Sequence, residues 1–285
     1  LVPGRSYQLK ITTPSGEILQ SSFDRMPQGP EIDEVYFEIE DIPTNDPEVW
    51  IHGIQFYTNF NASNNDSKYY RWQITETWEY HSAHPLEFYY DGQVQQVVPP
   101  DFSEMYCWTT KLVDEIYTLS TENYSSNSYD RFPLHYVKNT TSRLGILYSF
   151  LLKQMALSQD AFTYWDQMRM NSSEQGGLYA SQPIAIKGNM NNITYPELDV
   201  LGFFQASTVS SRRIFVEPID GLELNFYDFC SPTLLERGFV EIRPREYPAY
   251  LQTIDGNYSM MLLNDECIFC QMRGGVTTKP NFWPR

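Results

Sequence analysis

At 285 residues, with 20 Lys and Arg against 36 Asp and Glu, the chain carries a formal net charge of −16. That balance speaks against a nucleic-acid partner, because phosphate neutralisation needs clustered cations and no basic run is present. Its longest apolar stretches, such as Leu144 to Leu152, fall well below the roughly 18 residues of a membrane-crossing helix.

The chain opens on LVPGRSYQLKI, a turn that leads straight into a strand, so the natural start of the protein is expected upstream of Leu1. In SYQLKITT, Tyr7, Leu9 and Ile11 alternate with polar residues; Pro14, Ser15 and Gly16 then turn the chain, and GEILQSSFDRM returns as a second strand. MPQGP, residues 26–30, reads as a linker. Residues 1–29 are therefore expected to end a domain that begins earlier, with the main domain over 30–217.

Beyond the linker the period of two continues. IDEVYFEIED brings Ile32, Val35, Phe37 and Ile39 on or near one face, and GIQFYTNFNA alternates Ile54, Phe56 and Thr58 against Gln55, Tyr57 and Asn59. YYRWQITETWEY sets Tyr70, Trp72, Ile74, Trp78 and Tyr80 against Arg71, Gln73, Thr75 and Glu79. YCWTTKLVDEIYTLST and LGILYSFLLKQMALS extend the β pattern. The aromatic fraction of 15% suits rings packed on pleated faces.

One segment breaks the pattern. Ser158 is a natural helix N-cap, Asp160 favours the first turn, and Phe162, Trp165 and Met168 follow at helical spacing, with Gly176 and Gly177 as the stop. A helix is expected over about 158–171, its aromatic stripe facing the core. The strand DVLGFFQASTVSSRRIFV follows, then an irregular, Pro-containing tail over 218–285. Together these predict a mainly β chain: an immunoglobulin- or fibronectin-like β-sandwich with one inserted helix and a clasped C-terminal tail.

The chemistry-bearing residues are sparse. Cys107, Cys230, Cys267 and Cys270 include one Cys-x-x-Cys step, half of what a zinc ribbon needs. The Gly-Gly and Lys-Pro that follow break any helix able to lower a redox thiol's pKa. Two structural disulfides fit an even cysteine count in a β chain from an oxidising compartment, with all three pairings open. Phe282 and Trp283 are the expected anchors of the tail. Of the four His, at 52, 81, 84 and 135, only His81 and His84 are close in sequence, a weak metal signal. No metal or cofactor site is expected. No Gly-x-Ser-x-Gly elbow, P-loop, dinucleotide fingerprint or calcium loop occurs. A glycosidase-like carboxylate pair stays open, although EIDE (31–34) and EIED (38–41) read most simply as a solvated strand face.

The ordered landmarks PGRSYQLKI, MPQGPEIDEVYFE, YYRWQITE, YCWTT, YSFLLKQMALSQDAFTYWDQM, GGLYASQPIAIKGNMNNI, LGFFQASTVSSRRIF and CIFCQMRGGVTTKPNFW resemble the Bacteroidetes family known as domain of unknown function 4249. Its most specific pieces are Gln182, Pro183, Gly188 and Asn189, the Leu-Gly-Phe-Phe strand, and the Cys-x-x-Cys end. Ile268 and Phe269 depart from the polar residue common between those cysteines. The resemblance implies an exported lipoprotein anchored through a lipid on an upstream cysteine, with an immunoglobulin-like domain ending at residues 1–29. It also implies a surface-exposed outer-membrane location beside a TonB-dependent receptor, and carries over no catalytic residue. The expected function is that of a non-enzymatic accessory subunit of such a receptor, in ligand capture or complex assembly. A carbohydrate-binding module and a carboxylate-dependent glycan hydrolase are the alternatives.

Overall fold

The computed structural model describes residues 1–63, 65, 67–174, 186–253 and 260–284, excepting the side chains of 173 and 174. The glycine stop at 176–177 and the landmarks Gln182 and Pro183 lie outside the described residues.

At the N-terminus β1 (Ser6–Tyr7) pairs with β4 (Asp24–Arg25), enclosing a hairpin of β2 (Lys10–Thr12) and β3 (Ile18–Ser21). The next strands are long: β5 (Glu34–Pro43), β6 (Trp50–Asn61) and β7 (Tyr69–His81). After β7 come β8 (Leu86–Tyr90), β9 (Val94–Asp101), β10 (Tyr106–Leu112), β11 (Tyr117–Ser120), β12 (Ser128–Lys138) and β13 (Leu147–Leu157). Helix α1 (Gln159–Glu174) precedes β14 (Met190–Asn192) and β15 (Thr208–Val216). The last strands are β16 (Thr233–Leu234), β17 (Ala249–Thr253) and β18 (Met260–Leu263). All the pairings are antiparallel.

Two sheets face each other across the main core. One has the order β10-β7-β13-β15, with β11 continuing the β10 edge of β7; the other has the order β12-β6-β5. Their inward phases meet as rings. Phe56 of β6 stacks on Phe150 of β13 at 4.0 Å between centroids, and Phe60 packs against both Tyr70 and Trp72 of β7. Trp72 is fully buried, and its indole N–H donates to the Gln154 side chain at 2.9 Å, so its one polar atom is satisfied. Ile39, expected near the inward face of β5, is exposed where the β5–β6 ribbon runs past the core.

The N-terminal hairpin is stitched to the later chain. β14 adds to β3, the Asp24 carboxylate accepts the Ala206 N–H at 2.7 Å, and the Thr208 hydroxyl donates to the Pro27 carbonyl. Helix α1 starts where the sequence places it, and the Ser158 hydroxyl accepts the Ala161 N–H at 3.2 Å. Phe162 and Trp165 pack on Leu157 and Ala161, while Met168 is half-buried.

The expectation of a mainly β chain with one helix and disulfides near its C-terminus holds. Within the tail, largely irregular as read, one detail was not foreseen. Its three short strands complete a separate sheet, β16-β18-β17-β8-β9, with Leu251 opposite Phe88. One disulfide and a set of backbone bonds fasten this layer to the sandwich, and a second disulfide closes a loop within the tail. Cys107 of β10 joins Cys270, and Cys230 joins Cys267, so the two members of the Cys-x-x-Cys step reach different partners. Ile268 between them is almost fully buried beside Leu263 and Cys267, which explains an apolar residue there. The Tyr80 hydroxyl donates to the Cys270 carbonyl, the Ser82 hydroxyl to the Ile268 carbonyl, and Trp108 exchanges two backbone bonds with Val276.

Gly275 allows this close approach. A Cβ there would lie 2.3 Å from the Tyr80 hydroxyl and 3.1 Å from the Cys107 Cβ. Gly275→Ala is expected to cost about 1–3 kcal/mol through overpacking, read as a lower denaturation midpoint with an unchanged denaturant slope. An unaltered midpoint would mean that the tail yields at this point.

Candidate functional site

Every second residue of β7 from Tyr70 to Tyr80 points inward, and the fourth in that series is a carboxylate. Glu76 is 5% exposed. A buried charge survives only if it is paired and hydrogen-bonded, and Glu76 is both. The Arg143 guanidinium, arriving on the one-turn helix Ser142–Leu144, contacts its two oxygens at 2.9 and 2.8 Å. The Tyr148 hydroxyl, fully buried on β13, donates to Oε2 at 2.9 Å.

His135 of β12 reaches in from the opposite sheet. Its Nε2 lies 3.7 Å from Glu76 Oε2, within reach of charge attraction but too far for a hydrogen bond, and it has no hydrogen-bond partner. Its Nδ1 lies 3.1 Å from Glu115, whose carboxylate also accepts the Tyr117 hydroxyl. The chain Arg143–Glu76–His135–Glu115 therefore runs from the core to the surface.

The electrostatics follow from this order. Burial alone would push the Glu76 carboxyl up, but His135, Arg143 and the Tyr148 hydroxyl outweigh it and hold it below the usual carboxylate range. Burial likewise pulls His135 down, and the two flanking carboxylates overcome that and raise it. Contact with His135 brings Glu115 down to about 2, despite partial burial and with help from Tyr117. Burial and the neighbouring carboxylates keep Tyr117 and Tyr148 protonated. The cluster is a compensated set of charges.

Its outer end opens into a groove of about 710 Å³ between β12 and residues 115–118, with α1 as one wall. Phe132, Leu134, Tyr136 and Tyr117 supply apolar surface; Lys138 and Arg169 supply charge. The wall is pinned: Asp166 accepts from Thr118 at 2.8 Å and from Arg169 at 2.9 Å. The Tyr136 hydroxyl is fixed by donation towards the Glu40 and Ile51 carbonyls.

The residues singled out in the sequence lie elsewhere. All four cysteines are disulfide-bonded. Trp283 is buried, donates to Glu79 at 2.8 Å and meets Phe215 edge-on, whereas Phe282 is exposed with the Arg213 guanidinium 3.6 Å over its ring. His81 hydrogen-bonds Glu79, and the His84 N–H donates to the Cys267 carbonyl. Among the described residues no group of three or more His, Cys, Asp or Glu side chains is placed to hold a metal ion. Sequence reading missed Glu76, although a lone carboxylate in the inward phase of a strand was a visible signal. The meeting with His135 had none, because their strands belong to different sheets.

The family described as Domain of unknown function (DUF4249) matches residues 1–213, three quarters of the chain. This chain belongs to that family. The DUF4249 match includes Glu76, Glu115, His135 and Arg143, and it stops before the tail. Three of the four cysteines lie beyond it, joined to the matched part through Cys107. No curated protein and no solved structure matches the chain.

Proposed function

We infer that this DUF4249 chain is an exported, non-enzymatic accessory protein that works by docking on a TonB-dependent outer-membrane receptor. The observation that carries the reading is the pair of disulfides, one fastening the tail to the sandwich and one closing a loop within the tail. Such bonds persist in oxidising compartments outside the cytosol. Membership of the family and the outer-membrane setting implied by the resemblance supply the rest, together with a lipid anchor on an upstream cysteine.

Among the described residues, the buried carboxylate cluster around Glu76 gives the hydrolase alternative little support. Glu76 is 5% exposed and both its oxygens accept from protein donors, so it is committed to the core rather than presented to a substrate. The carbohydrate-binding alternative needs a flat aromatic platform. Among the described residues one tryptophan, Trp50, is exposed, and two of the several exposed rings, Tyr227 and Phe229, meet edge-on at 87°.

Fractionation of cells producing the natural full-length protein tests the reading. The protein is expected in the outer-membrane fraction, accessible to protease added to intact cells. Recovery from the soluble cytoplasm would overturn it.

A further inference from the structure

The groove outside His135 has a charge state that sets it apart from the rest of an acidic molecule. Its carboxylate Glu115 is hydrogen-bonded to His135, and its Arg169 is paired with Asp166. Among the described residues Lys138 makes no ion pair or side-chain hydrogen bond, so the groove keeps one uncompensated cation on a chain of net charge −16. The surface around that cation is aromatic. Phe132, Tyr136 and Lys138 of the same edge strand all line the groove: Tyr136 and Lys138 are in one phase of the strand, and Phe132, beyond the register shift, is in the core-facing phase and stacks on Trp72. The strand is unsuited to adding another strand, since Pro133 and two register shifts interrupt its ladder. A side-chain-lined slot of this size, apolar with few charged groups, suits a small molecule.

We propose that this groove is a binding site for a small organic anion, a carboxylate, sulfonate or phosphate carried on a flat apolar body. The anionic group pairs with Lys138, with Arg169 in the adjoining wall, and the apolar body lies along Phe132 and Tyr136. Glu115 is held in the groove wall by His135 and Tyr117. The site is independent of docking on a receptor: it is complete within this chain.

The test uses anilinonaphthalene sulfonate as the probe, titrated into the folded, oxidised protein and followed by fluorescence. A saturable, salt-sensitive enhancement is expected. Lys138→Glu should weaken it by about tenfold or more, the loss of one charge-assisted contact, with the melting temperature unchanged because Lys138 is exposed. Leu201→Asp, in a separate apolar depression lined by Ile11, Leu19 and Phe204, should leave the affinity intact. Equal binding by Lys138→Glu, abolition by Leu201→Asp, or no saturable enhancement with the native protein would each overturn the proposal.

Discussion

Replacing Cys107 and Cys270 with serine is expected to lower the melting temperature by roughly 10–20 °C relative to the oxidised protein. Those residues are 163 apart in sequence, and closing so long a loop in the unfolded chain is worth about 5 kcal/mol on the chain-entropy account. The effect is enlarged by what the bond holds. The tail sheet has a small core of its own, around Ile242, Ala249 and Leu251, and meets the sandwich through isolated backbone and side-chain bonds. Removing Cys230 and Cys267 opens a loop of 37 residues and should cost about 1 kcal/mol less, since the entropy scales with the logarithm of loop length. The two losses need not add, because the loops overlap. Calorimetry on both double variants checks the ranking; a larger loss from the shorter loop would contradict it.

Glu76→Leu should be similarly damaging, at about 3–5 kcal/mol, because it strands Arg143 and His135 without their shared counter-charge. The pH dependence distinguishes this from loss of packing. Glu76 and Glu115 are held below the ordinary carboxylate value of 4.5, so their contribution is present above that pH and is lost as pH falls through their folded values. His135 is raised above 6.5, so its contribution is whole below that pH and is lost as pH rises through the folded value. The cluster therefore stabilises most between about pH 4.5 and 6.5. His135→Gln should remove the alkaline decline and shrink the acid one to what Arg143 and Tyr148 still hold at Glu76. Urea midpoints across the pH range decide this, and an alkaline decline that survives His135→Gln would refute the charge account.

How much of this was legible in the sequence depended on distance along the chain. The alternation of Tyr70, Trp72 and Ile74 and the cap at Ser158 are local patterns, and both elements stand where those patterns put them. The tail strands are two to five residues long, and they join the sheet through β17, which pairs with β8 some 160 residues earlier, so no local period announces them. The cysteine pairing was undetermined for the same reason: spacing shows only that Cys267 and Cys270 are neighbours, and the fold sends them to opposite partners. Glu76 lay in plain view as the charged member of an inward series. What it does there became visible only with Arg143, Tyr148 and His135 brought in from three other segments.

Docking on a receptor is the property on which the proposed function stands. Its most direct test is purification of the natural full-length protein from outer membranes in mild detergent, with quantitative mass spectrometry of what accompanies it. A TonB-dependent receptor is expected in equimolar amount, released when the detergent is made harsh. Recovery of the protein from those membranes with receptors only at background would contradict it.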